Sequence, residues 1–465
     1  LNLKNSSLIF GVFLLGSLFC TSCATYYQKN AQFNTNFEAG NIPQAEQDLA
    51  NSPDMESGKD RFLYFVNFGV VASMLGEYEK SNEYLAKAYQ YTQDYKASVT
   101  DAGLSLLVNP MMTQYKPEDH EVLLIHYYSA MNYVMLSDYE EALVECRQLD
   151  IALKQLSDKY KSDYKYQADA FVNVLSGLIY DATRDYNNAF IAYRNALEIY
   201  QRDYDRLFGI SAPEQLKKDL LRTAYLTGLT TELDQYEREF EMKYNPAKDN
   251  TGDLVFIWNN GLGPVKAEWG ITFTIIRGSG GAVTFENADL GLSFPFFLND
   301  GGGDGLGDLE FVRIVFPRYV ERPLMFTNAE LVMGDERHPL QLVEDVNKIS
   351  FKTLEERMLL ELGESLLRVA IKKAEEYAVR NQSEGWGAVV GALNAITEKA
   401  DTRNWQTMPH SIYYSRVALP PGTHPVQLQY AGSTEQESFT LDIEENRTTF
   451  QSFHTIATAP YTNTF

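Results

Sequence analysis

Cysteine is nearly absent, with 3 in 465 residues, at positions 20, 23 and 146. A disulfide framework is therefore not what stabilises this chain; a large apolar core has to do so. Histidine is scarce as well. The 6 residues (His120, His126, His338, His410, His424, His454) are scattered, and no pair has the spacing of a zinc-binding helix. Positive charge is in short supply, with 40 Lys and Arg against 63 Asp and Glu and a net charge of −23. A chain this acidic, with no basic cluster, is repelled by phosphates, which excludes nucleic acid as a partner. Catalytic signatures are missing too. There is no G-x-S-x-G elbow and no glycine loop running into a helix through Lys-Ser/Thr. Gly278-Ser279-Gly280-Gly281 sits between strand patterns and reads as a hairpin turn. The adjacent His410 and Ser411 are unremarkable in a chain this long. No enzyme and no cofactor are expected.

Long apolar runs are also lacking. The most prominent, Leu8 to Phe19, is about a dozen residues, too short to span a bilayer but of the length of a secretory signal core. It follows a short polar start and leads through Thr21 and Ser22 to Cys23. That order resembles a bacterial lipoprotein signal, with Leu replaced by Cys20 at one position. The resemblance implies that residues 1–22 are removed and that Cys23 carries a lipid. Cys146 would then have no disulfide partner. Residue 24 is Ala rather than Asp, and no acidic run follows. Both point to the outer membrane, facing the periplasm.

What the sequence does have is a repeat. One unit reads Phe65-x-x-Phe68-Gly69-x-x-Ala72, then Gly76-Glu77-Tyr78-Glu79-Lys80-Ser81, Leu85 and Ala88. The frame recurs at Ala130, Tyr133, Asp138-Tyr139-Glu140-Glu141-Ala142, Cys146 and Leu149. It recurs again at Gly177, Tyr180, Asp185-Tyr186, Ala189, Tyr193 and Ala196. Weaker copies surround Gly40 to Leu49 and Ala224, Gly228 and Tyr236. This is the large–small alternation of a tetratricopeptide repeat, in which small residues let two antiparallel helices approach. The offsets Ala45 to Ser81, Ser81 to Ala142 and Ala142 to Ala189 are 36, 61 and 47. They exceed the regular period of about 34, so longer helices or insertions are expected at 97–118 and 152–166. Cys146 falls on a packing position and reads as a small buried hydrophobe.

After the breaker cluster Asn245 to Gly252 the texture becomes β, with strand patterns at 254–258, 270–276, 282–286, 291–297, 309–316, 412–418, 425–431, 437–443 and 447–454. A helical stretch at about 340–400 interrupts them, with Leu359, Leu362, Leu366, Val369 and Ala370 on one stripe and a small-residue helix at 385–393. The fold class expected is therefore multidomain α + β. It comprises residues 1–22 as signal, 23–245 as a tetratricopeptide-like α-solenoid, and 246–465 as a β-sandwich-like domain with inserted helices.

Two stretches stand out in the second half. One is Asn260-Gly261-Leu262-Gly263-Pro264-Val265-Lys266, whose glycines suggest positive φ. The other runs from Thr397-Glu398 through Asp401-Thr402-Arg403-Asn404-Trp405 to Pro409, on to Arg416 and Gly422-Thr423-His424. Asp401 and Arg403 could pair and pin Trp405 between sandwich and helices, a structural role in preference to a ligand site. Lys266 could bridge within the domain or bind a carboxylate. Together these stretches resemble an uncharacterised family of bacterial tetratricopeptide envelope lipoproteins with "NGL-PVK" and "TE-ADTR-W" motifs. The resemblance spans the mature chain and implies an envelope lipoprotein without an assigned activity. Asp300, Asp304 and Asp308 in a glycine-rich loop are weak metal candidates. Their spacing matches no calcium motif and favours a solvated turn.

The function expected is a lipid-anchored envelope scaffold that binds partner proteins in the groove of the repeats, in outer-membrane or cell-wall assembly. The alternative is a peptidoglycan or glycan-binding module that stacks sugars on Trp258, Trp269, Trp386 or Trp405. A hydrolase would require a carboxylate pair or a Ser/His pair converging in one pocket.

Overall fold

Five helical hairpins open the described part of the chain. They are α1 (Ala31–Glu38) with α2 (Ile42–Ala50), α3 (Arg61–Met74) with α4 (Tyr78–Val99), and α5 (Asp119–Met135) with α6 (Tyr139–Lys159). Then come α7 (Ala170–Ala182) with α8 (Tyr186–Ile199), and α9 (Glu214–Leu226) with α10 (Thr230–Glu239). The structure, a computed structural model, describes residues 26–99, 113–159, 168–246, 250–279, 282–297, 310–382 and 400–460. Cys23, Asp300, Asp304, Asp308, Trp386 and the expected helix at 385–393 lie outside the described residues.

All five first helices end in the same turn, in which the next residue takes a left-handed conformation and two amides cap the last carbonyls. In α3 the amide of Gly76 donates to Ser73 O and that of Glu77 to Ala72 O. In α7 the amide of Arg184 donates to Asp181 O and that of Asp185 to Tyr180 O. Small residues fit the helices together. A Cβ on Gly69 would lie 2.8 Å from Leu85, and one on Gly177 only 2.4 Å from the Tyr193 ring. Cys146 is buried, and burial pushes its thiol up to about 12, so it packs as a hydrophobe and does not react. α4 has 22 residues and α6 has 21, so the helices do lengthen where the repeat offsets exceed the regular period.

Among the described residues beyond 250 lie twelve strands in three sheets of four. The strands are β1 (Gly252–Asn260), β2 (Val265–Arg277), β3 (Ala282–Asn287), β4 (Leu292–Phe297), β5 (Phe311–Val320) and β6 (Ala329–Met333). They continue with β7 (Glu336–Pro339), β8 (Gln341–Asp345), β9 (Ser411–Leu419), β10 (Gly422–Tyr430), β11 (Gln436–Ile443) and β12 (Thr448–Thr455). Sheet orders are β12-β1-β9-β8, β11-β10-β6-β7 and β4-β3-β2-β5, with β1 and β12 parallel. The first two sheets pack face to face as a sandwich. Leu254, Phe256, Trp258, Val417 and Leu419 meet Leu331, Val426, Leu428, Tyr430 and Ile443 across it.

The single sandwich expected for all these strands is not what forms. Strands β2 to β5 make their own sheet, whose apolar face (Ile271, Phe273, Ile275, Phe285) is covered by Leu354, Leu362, Leu366 and Val369 of the 37-residue helix α11 (Val346–Gln382). The helical insertion expected from about 340 begins at Val346, because Gln341–Asp345 pairs with β9 as a strand. No helix among the described residues is long and apolar enough to cross a membrane.

The far face of the first sheet rests on the helices. Every residue of β1 except Asp253 is buried, because Leu254, Phe256 and Trp258 point to the sandwich while Val255 and Ile257 point to the repeats. One continuous core contains Phe65, Leu124 and Tyr193 from the helices together with Val255, Ile257, Trp405, Met408, Ile412 and Tyr414. Phe62 to Ala72 of α3 and Asp119 to Asn132 of α5 are all buried, so these helices are covered on both sides. A helix apolar all round needs such cover, and here the C-terminal half supplies it.

Candidate functional site

The junction between helices and sheets gathers the motif residues into three buried charged nodes. In the first, Glu118, just before α5, pairs with Lys266 of β2 and with Arg357 of α11, whose Nη1 is 2.7 Å from Glu118 Oε2. Arg357 also reaches Glu361 at 2.9 Å, which in turn meets Lys116 at 2.9 Å. Burial would raise the Glu118 carboxyl, but Arg357 and Lys266 outweigh it and hold it well below the usual range. His120 stands beside this node, with Nδ1 3.2 Å from Thr353 Oγ1, and burial pushes it down to about 3.

In the second node Arg403 makes a fork with Asp401, Nε to Oδ1 at 2.8 Å and Nη2 to Oδ2 at 2.6 Å, and reaches Asp60 of the helical half at 2.6 Å. This pins the segment that follows. Asn404 Nδ2 donates to Pro264 O at 2.8 Å, and the Trp405 amide donates to Glu121 Oε1 at 2.7 Å. Trp405 is fully buried, its ring 5.8 Å from that of Tyr128 and its Nε1 donating to Thr407 Oγ1 at 2.7 Å. The two sequence motifs thus zip together against α3 and α5. Gly261 has φ 66 as expected, and a Cβ there would lie 2.5 Å from Leu324. Gly263 differs from expectation. Its φ is not positive, and what requires glycine is Met408, 2.8 Å from where a Cβ would stand.

The third node was not legible in the sequence. Arg416 of β9 lies between Asp181 of α7 at 2.6 Å, Asp219 of α9 at 3.5 Å and Asp253 of β1 at 3.4 Å. Arg222 bridges Asp181 at 2.6 Å and Asp253 at 3.1 Å. Next to it a π-helical segment, Tyr200–Tyr204, turns two phenols onto β8. Tyr200 donates to Val343 O at 2.6 Å and Tyr204 to Glu344 Oε2 at 3.0 Å.

The side of the repeats on which an open groove was expected is therefore filled by the chain's own C-terminal half. Apolar first helices need cover, and residues 400–414 provide it.

Each carboxylate of these nodes faces arginine, lysine or an amide, and among the described residues no group of three or more His, Cys, Asp or Glu could hold a metal ion. One constellation that sequence reading passed over does form. His410 Nδ1 is 2.6 Å from Ser411 Oγ, and its Nε2 is 3.0 Å from Glu321 Oε1. Only His410-Ser411 was visible in the sequence; Glu321 is 89 residues away. Ser411 is 2% exposed and paired on both sides, with Asn260 of β1 and Asp345 of β8, so no substrate reaches its Oγ. Sugar stacking on Trp258 and Trp405 is excluded, since both are fully buried; Trp269 is half-buried against the third sheet's core.

Glu121 carries a pH signature. Burial and the neighbouring Glu118 carboxylate push it up to about 7 from 4.5, against the pull of Lys266 and of the Trp405 and Glu118 amides. The folded state therefore favours its protonated form. This stabilisation is present at acid pH, below the ordinary carboxylate range, and is lost as pH rises toward neutrality. Glu121→Gln is expected to remove this slope. In urea titrations from pH 5 to 8, wild type should lose stability relative to the variant with rising pH. Parallel curves would refute the assignment.

No protein-family model matches the chain, and no curated protein matches it. Among solved structures it is similar to MamA, at 14% identity over 44% of this chain and 91% of that one, with a TM-score of 0.29. It is similar to BtubC from P. vanneervenii at 16% identity, over 48% and 84%, with a TM-score of 0.32. A Rap protein complexed with competence and sporulation factor matches at 14%, over 46% and 52%, with a TM-score of 0.29. Scores near 0.3 carry no inference about role, and the helical repeat rests on the five hairpins themselves.

Proposed function

We propose that the chain is a non-enzymatic scaffold of the cell envelope, tethered by a lipid on Cys23 to the outer membrane and facing the periplasm. Its partners are envelope proteins, which it holds on its outer surfaces. The observation that carries this reading is the array of five hairpins locked by buried ion pairs to two of the three sheets. Such a body suits fixed presentation of surfaces. The lipoprotein-like start and the two motifs support the envelope setting. With the inner side of the repeats filled, partner contact falls elsewhere than in the groove.

Affinity capture with crosslinking from intact envelopes, using a C-terminally tagged chain beside Cys23→Ala, tests this. The wild-type chain is expected in the membrane fraction with one or two stoichiometric envelope proteins, and Cys23→Ala in the soluble fraction. Unchanged fractionation would remove the lipid tether from the account. Recovery of cell-wall fragments alone would replace the scaffold with a glycan-binding module.

A further inference from the structure

Three of the five non-glycine residues with positive φ among the described residues line one pocket: Ser137 (φ 60), Arg184 (φ 64) and Asn446 (φ 58). Two of them occupy the turn that ends a first helix. The equivalent positions in the other hairpins are Gly40, Gly76 and Gly228, the residue this conformation favours. The chain thus gives up glycine at the two hairpin tips that face the sandwich, and a side chain appears at the wall of a hollow in both cases.

The pocket is about 460 Å³, within the usual range for ligand sites, and lies between those tips and the β11–β12 turn. Its apolar wall is Val134, Met135, Tyr139 and Phe450, the two rings 6.1 Å apart. Its polar lining balances charge. Arg184 and Arg447 stand with Asp442 and Glu444, joined by Ser137, Thr183, Asn446, Thr448 and Thr449. Arg447 meets Glu444 at 3.1 Å, and Arg184 donates to Asn446 O at 2.8 Å. Neither a net cation nor a net anion is favoured by such a lining. A ligand with an apolar ring face and a rim of hydroxyls, which both donate and accept, matches it.

We propose that this pocket binds a neutral saccharide. It is a different place from the tryptophans, and it stands whether or not the scaffold reading does. Each carboxylate or guanidinium contributes charge-assisted bonds to hydroxyls, and losing one costs roughly tenfold in affinity.

Calorimetric titration of the full chain with neutral trisaccharides of glucose and of N-acetylglucosamine is the test. Saturable one-site binding to one series is expected. Glu444→Gln, at an exposed position, should weaken it roughly tenfold without changing the thermal midpoint. Arg184→Gly should weaken it similarly, although glycine suits that turn better than arginine does. No saturable binding to either series, or binding that survives both substitutions, overturns the proposal.

Discussion

Glu118→Gln is expected to destabilise the protein by about 3–5 kcal/mol, the usual cost of breaking a buried ion pair by removing one partner. The reason is local. Without the carboxylate, Lys266 and Arg357, at 3% and 4% side-chain exposure, lose the anion they share, and Arg357 is left to Glu361. Burial penalises each cation, and their mutual repulsion adds to that penalty. Replacing the three together (Glu118→Leu, Lys266→Met and Arg357→Met) should recover part of the loss, with Glu361 still paired to Lys116, because well-packed apolar side chains often match a buried ion pair in stability. Urea denaturation of wild type, single and triple variants measures this. A single variant within 1 kcal/mol of wild type, as for a surface pair, would mean that the node is solvated.

Arg416→Met should have an effect of the same size, about 3–5 kcal/mol, for the opposite reason. It strands Asp181, Asp219 and Asp253 around one remaining cation, Arg222. Arg416 and Arg222 hold the Asp181 carboxyl down against its burial, while burial raises that of Asp219. Losing Arg416 removes the counter-charge from both. Because the three aspartates belong to α7, α9 and β1, the damage falls on the contact between helices and sheets. Thermal unfolding should show a lower midpoint for the entire molecule. A variant that melts the sheets early while the helices hold would show that Arg416 serves the sandwich alone.

Much of this architecture was legible in the sequence, for identifiable reasons. The hairpins announce themselves because a small residue must stand wherever Leu85 or Tyr193 presses on the neighbouring helix. Strands such as β10 show because their apolar residues, Val426, Leu428 and Tyr430, recur at period two. The short strands β6 to β8 were missed. Glu330 and the run Asp335-Glu336-Arg337-His338 look like a loop, and only pairing across the sheet makes strands of them. Lys266 and Arg403 could be singled out, but their partners could not, since Glu118 lies 148 residues from Lys266 and Asp60 lies 343 from Arg403. The same distance hid the filling of the groove. A repeat's pattern reports that both helix faces are apolar, not which part of the chain covers the second one.

Filling of that groove ties the stability of the repeats to that of the sheets. All four tryptophans, Trp258, Trp269, Trp386 and Trp405, lie in the C-terminal half, whereas all five hairpins lie in the N-terminal half. Tryptophan fluorescence therefore reports on the C-terminal half, and far-ultraviolet circular dichroism at the helix band reports chiefly on the repeats, with α11 adding a smaller share, when both are followed through urea unfolding. The expected result is one shared transition with a common midpoint and slope, as for a single cooperative unit. Two separated transitions, with the helices unfolding at a different urea concentration from the tryptophans, would contradict the claim that helices and sheets form one body.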